Sequence, residues 1–147
     1  TSHLRLKELD ATTLRFESAS REMRVAALAV VTKEPKLRLE LTIREGGRET
    51  LSGKHANGMV TAFDCLYRDI VSPTSNETGR IVYSYVMHLD GKKISVSQAC
   101  IELAPENGGT RLVLTEYGDY LDGYDDAGSR EHGTNWLIDT LGKSLEA

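Results

Sequence analysis

The stretch GTRLVLTEYGDYLDGYDDAGSREHGTNWLIDTLG, Gly109–Gly142, changes its period halfway along. Up to Glu116, Leu112 and Leu114 alternate with polar or smaller neighbours, the two-residue period of a strand with one face turned inward. Beyond Asp126, the residues Gly133, Trp136, Leu137, Ile138, Leu141 and Leu145 recur near the helical spacing. A strand followed by a helix from about Asp126 to Leu145 therefore closes the chain. Gly133, Trp136, Leu137 and Leu141 are expected to pack that helix on a sheet. Glu116, Asp119, Asp122, Asp125, Asp126, Glu131 and His132 lie along the way. A calcium loop needs acids at alternate positions, then a glycine and a distal glutamate, and Asp122, Asp125 and Asp126 do not fit. A helical zinc site needs histidines four apart, and His132 has no such partner. Acids before a helix instead satisfy its unpaired N–H groups and oppose its positive dipole end. Helix entry is the reading, and neither a metal nor a cofactor is expected.

Upstream, strand patterns dominate. Leu37, Leu39, Leu41 and Ile43 alternate, and Gly46-Gly47 mark a tight turn before a return strand over Glu49–Lys54. Val60–Val71 puts Phe63, Cys65 and Tyr67 on one face, and Arg80–Leu89 does the same with Ile81, Tyr83, Tyr85 and Met87. Asp90-Gly91 signals a hairpin into Lys93–Ala104, and the PENGG turn leads to Thr110–Glu116. Residues 3–16 read as one or two strands with a break near Asp10. Ser18–Val31 reads as a helix that Pro35 ends. The order is strand, helix, six antiparallel strands, helix. This is an α+β class, one domain over residues 1–147, with helices covering the apolar face of the sheet.

Composition narrows the function. The 147 residues carry 39% apolar and 27% charged side chains, a globular balance, with a net charge of −4. An acidic chain without a basic face argues against nucleic acid as a partner. No apolar run approaches the roughly 20 residues of a membrane span, and no signal-peptide pattern is present. No membrane association and a cytoplasmic location are expected. Cys65 and Cys100 lack CxxC spacing and have opposite strand parity, so they read as separate thiols. No glycine motif fits a phosphate loop.

Three segments together resemble a known family: GGRETLSG (Gly46–Gly53), YRDIV followed by RIVYSYVMHLDGKKISVS (Arg80–Ser97), and the closing stretch. Over about Leu39 to Ala147 the chain is similar to the START-like SRPBCC superfamily. The nearest branch is the activator of heat-shock-protein-90 ATPase homologue, C-terminal-domain-like proteins, also labelled polyketide-cyclase-like. The resemblance implies a helix-grip fold, a curved antiparallel sheet of about seven strands wrapped around a long C-terminal helix. It also implies an internal cavity that takes small apolar molecules.

Strand parity and helical spacing, joined to that implied hollow core, place Phe63, Tyr67, Tyr83, Tyr85 and Ile101 on its sheet side. Trp136 and His132 belong on its helix side, with Glu116 near one end. Each also has a plainer role. The tyrosine stripe and Trp136 suit an ordinary core, Glu116 a strand-end ion pair, and His132 the helix surface. The expected function is binding of a small, largely apolar molecule. A cyclase- or dehydratase-like enzyme using Glu116 with a tyrosine is the alternative, and a chaperone-assisting interaction module ranks third. Whether a reaction occurs, and whether the chain forms a homodimer, stay open at this level.

Overall fold

A computed structural model of the chain describes residues 5–9, 13–17, 37–41, 44–74 and 76–146, with side chains from 44 onward except 75, 141 and 144–146. Among the described residues nine elements follow in order: β1 (Arg5–Leu9), β2 (Thr13–Glu17), β3 (Leu37–Leu41), β4 (Arg48–Lys54), β5 (Val60–Val71), β6 (Gly79–Leu89), β7 (Lys92–Glu106), β8 (Gly109–Tyr120) and the helix α1 (Ala127–Glu146). β1 and β2 form their own antiparallel hairpin, and β3 to β8 form a six-stranded antiparallel sheet in sequence order. The class is α+β. The helix expected over Ser18–Val31 lies outside the described residues.

The sheet is a meander because short turns join its strands. Asp90 and Gly91 at φ 48° and 78°, and Asn107 and Gly108 at φ 49° and 77°, supply the left-handed pairs that match strand twist. Register then aligns the inward side chains in rows across the strands. One row reads Leu51, Phe63, Met87, Ser95 and Tyr120. The next reads Glu49, Cys65, Tyr85, Ser97 and Gly118. A third carries Tyr67, Tyr83, Ala99 and Glu116. A register shift between Tyr67 and Asp69 then lets Ile70 align with Ile81, Ile101 and Leu114.

The core lies on this face. Cys65, Tyr67, Ile81 and Tyr85 are buried, with Phe63, Ile70, Tyr83, Met87 and Ile101 packed against them. The Phe63 and Tyr85 rings stand 4.7 Å apart, a contact worth about 1 kcal/mol beyond its area. The opposite face carries exposed ion pairs such as Arg48–Asp64 at 2.8 Å, which contribute little to stability.

Helix α1 begins where the acids end. Asp126 is its cap: its Oδ1 accepts the Ser129 N–H at 2.9 Å and its Oδ2 accepts the Ser129 hydroxyl at 3.0 Å. Asp122 and Gly123 at φ 55° and 70° make the turn that precedes it. The helix does not press flat on the sheet. Close backbone contacts run from strand to strand, and among the described residues a Cβ added at Gly133 would meet nothing within 4 Å. The expected close approach at Gly133 is therefore corrected. Among the described residues no helix is long and apolar enough to cross a membrane.

The cap has a pH signature. The Ser129 backbone N–H on Asp126 holds its carboxyl below the ordinary 3.8. Its contribution is present above that value and is lost as pH falls through the folded-state value. Asp126→Ala should lower the melting temperature at pH 7. Melts repeated at pH 2–3 should show the gap to the wild type closing.

Candidate functional site

Arg130 sits in the first turn of α1 and reaches down to the sheet. Its Nη1 donates to the Tyr85 hydroxyl at 2.6 Å and to Glu116 Oε1 at 3.2 Å, with Ser97 Oγ at 3.5 Å. Its Nη2 donates to Ser95 Oγ at 2.8 Å and to Asp125 Oδ2 at 2.7 Å. The Tyr85 hydroxyl in turn donates to Glu116 Oε1 at 2.5 Å. The side chains of Arg130, Glu116 and Asp125 are only 14%, 13% and 16% exposed. A guanidinium suits this place because its planar fork spreads donors toward several acceptors at once. Its carbon also lies 5.6 Å and 5.4 Å from the Tyr85 and Tyr120 ring centroids, so it is stacked as well as bonded.

Local sequence explains how the partners meet. Tyr85, Ser97 and Ser95 lie on adjacent inward rows of β6 and β7, and Glu116 lies on β8 opposite Ala99, whose small side chain leaves room. Gly118 faces Ser97. A Cβ there would stand 2.5 Å from both the Val96 carbonyl oxygen and Ser97 Oγ, so any larger residue would push β8 off β7 beside the Arg130 cluster.

Between β8 and α1 lies a cleft of about 370 Å³. Leu114, Thr115, Glu116 and Tyr120 line it from the strand, and Ala127, Arg130, Glu131, Thr134, Asn135 and Ile138 from the helix. Its floor is the Arg130 cluster and its walls carry apolar surface from Leu114, Tyr120 and Ile138. Glu116 Oε1 is taken by Tyr85 and Arg130, while no hydrogen bond reaches Oε2 among the described residues. Tyr85 stays protonated, since burial and the bond to Glu116 push its pKa up.

A second carboxyl lies deeper in the sheet. Glu49 is 7% exposed and accepts the Tyr67 hydroxyl at 2.5 Å. Burial raises its pKa above the ordinary 4.5, against the opposing effect of the Tyr67 bond. Burial and the neighbouring Glu49 also push the Tyr67 hydroxyl up, so it stays protonated.

The sequence-derived candidates separate in the structure. Phe63, Tyr67, Tyr83, Tyr85 and Ile101 come together in one cluster on the inward face. Of the eight, Glu116 alone lines the cleft among its described residues. Trp136 is corrected from core residue to one 42% exposed, and His132 is exposed on the helix away from the cleft lining. The physical reason is rotation of α1. Bonding Arg130 to the sheet turns Arg130, Thr134 and Ile138 inward at four-residue spacing, which carries Gly133 and Trp136 off that face. Sequence reasoning missed Arg130, Ser95, Ser97 and Glu49, and it read Asp125 as a helix-entry acid where the structure bonds it to Arg130. Glu49 shares the parity of Leu51, and that was its one available signal. Among the described residues no group of three His, Cys, Asp or Glu side chains is placed to hold a metal ion. Between Glu116 and Asp125 the space is occupied by the Arg130 guanidinium.

Two expectations follow for these carboxyls. Because Glu49 binds its proton more tightly when folded, stability falls as pH rises from 4.5 through the folded-state value. Glu49→Gln should therefore be more stable than the wild type at pH 7 and equal to it near pH 4, as read by urea denaturation. Arg130→Met should cost about 3 kcal/mol by the same measurement, since it strands two largely buried carboxylates. Arg130→Lys should recover only part, because an ammonium cannot make the fork.

No family model and no curated protein matches the chain. Solved structures do. An uncharacterized protein from Rhizobium leguminosarum is 34% identical, with a TM-score of 0.71 over 86% of this chain and 80% of that one. The Mll3558 protein from Rhizobium loti is 27% identical, with a TM-score of 0.70 over 96% and 92% of the two chains.

Proposed function

We propose that this chain, which belongs to one family with the uncharacterized Rhizobium leguminosarum protein, binds a small, largely apolar molecule between its sheet and its C-terminal helix. The observation that carries this reading is the cleft of about 370 Å³ between β8 and α1, within the size range of small-molecule sites. Apolar surface from Leu114, Tyr120 and Ile138 stands beside polar groups from Glu116, Arg130, Glu131, Thr134 and Asn135, so the lining can supply both affinity and orientation. The motifs of the START-like SRPBCC superfamily, and a meander sheet followed by a helix, support assigning the chain a helix-grip fold of that kind. In that assignment a further strand completes a seven-stranded sheet around the helix.

A second reading, acid–base catalysis in the same cleft, is favoured by the state of Glu116. One carboxylate oxygen is held by Tyr85 and Arg130, and the other, which no hydrogen bond reaches among the described residues, would take a proton from a bound substrate.

A neutral apolar fluorescent probe such as a naphthalene analogue should bind the native protein with saturation. Thr134→Trp fills the cleft from the helix side. It should weaken the neutral probe at least about tenfold, roughly 1.4 kcal/mol, while the melting temperature stays within a few degrees. Unchanged binding in that folded variant would place the ligand elsewhere.

A further inference from the structure

We infer that the ligand of the β8–α1 cleft carries a protonated amine on its apolar body, and that Glu116 receives it. This rests on the ligand-binding reading and adds the chemistry of the ligand's polar end. The argument is one of unspent bonding capacity. Both terminal nitrogens of Arg130 are engaged, by Tyr85 and Glu116 on one side and by Ser95 and Asp125 on the other. The Tyr85 hydroxyl is spent too, donating to Glu116 and accepting from Arg130. Of the four oxygens on the two carboxylates that hold Arg130, Glu116 Oε2 is the one that no hydrogen bond reaches among the described residues, so the floor offers a ligand a charged acceptor there, beside the Arg130 Nε–H and the Tyr120 hydroxyl.

Charge points the same way. Arg130 supplies one positive charge against the two carboxylates that hold it, Glu116 and Asp125, so the cluster is net negative by one. Glu131 adds a further carboxylate to the cleft wall. An anionic ligand would meet this field unfavourably and would have to displace Glu116 or Asp125 from the guanidinium. A cationic donor meets Glu116 Oε2 without breaking any of those bonds. The Glu116 side chain is only 13% exposed, so a charge-assisted bond there is little screened by solvent. Leu114, Tyr120 and Ile138 then cover the apolar body.

Three probes of one length separate the ideas: octylammonium, octan-1-ol and octanoate, titrated calorimetrically at pH 7. Octylammonium should bind roughly ten- to a hundredfold tighter than octanol, and octanoate weakest. In Glu116→Gln, which keeps an acceptor toward Arg130, the amine's advantage over the alcohol should shrink at least about tenfold. Glu131→Gln, an exposed change, should reduce it by a smaller factor and keeps the test valid if Glu116→Gln fails to fold. Octanoate binding as tightly as octylammonium overturns the inference while leaving ligand binding intact. An amine preference unchanged in the folded Glu116→Gln variant, or in Glu131→Gln where Glu116→Gln does not fold, overturns it too. Binding by none of the three probes overturns the ligand-binding reading itself.

Discussion

The guanidinium of Arg130 is the constraint on which the seating of α1 against the sheet depends. It joins the first turn of α1 to β6, β7 and β8 at once, through Tyr85, Ser95, Ser97 and Glu116. It also ties in Asp125, the residue just before the cap. The helix makes few close backbone contacts with the sheet, so this polar fork sets its rotation. Once the rotation is set, Thr134 and Ile138 face the strand and a cleft remains between them and Leu114.

A charged tie of this kind differs in kind from apolar packing. Burying an arginine is costly unless its donors find partners, and here each terminal nitrogen has them. The arrangement is therefore specific about geometry. A helix turned by one residue would leave a cation and two carboxylates unmatched. An apolar helix face could slide or rotate at far smaller penalty. The same specificity leaves space. Where a leucine-rich face would have filled the gap, the long arginine side chain spans it.

The two buried carboxyls illustrate opposite solutions to one problem. Glu116 lies beside a guanidinium and a tyrosine, so its charge is compensated within the site. Glu49 has a tyrosine hydroxyl, and burial favours its protonated form. Both sit on the inward face of one sheet, two rows of side chains that the register brings side by side. Between them the tyrosines Tyr67, Tyr83 and Tyr85 pack edge to face and tilted, at 6.2 and 5.9 Å between centroids.

The strands, their order and the inward stripe were legible in the sequence because alternation is a local property. Phe63, Cys65 and Tyr67 need only their own strand to share a face, and Asp90-Gly91 needs only its own backbone to turn. The start of α1 was legible for the same reason, since Asp126 bonds a residue three positions on. Which face of α1 meets the sheet was not. Apolar spacing pointed to Gly133, Trp136 and Leu141, and hydropathy carries no signal for a buried cation. Arg130 finds its partners 14 to 45 residues away, on three strands whose register had first to form. Sequence by itself determined the elements and the inward side of each strand. The tertiary structure alone decided the rotation of the helix, and with it the cleft, because only there do the carboxylates that compensate Arg130 come within bonding distance.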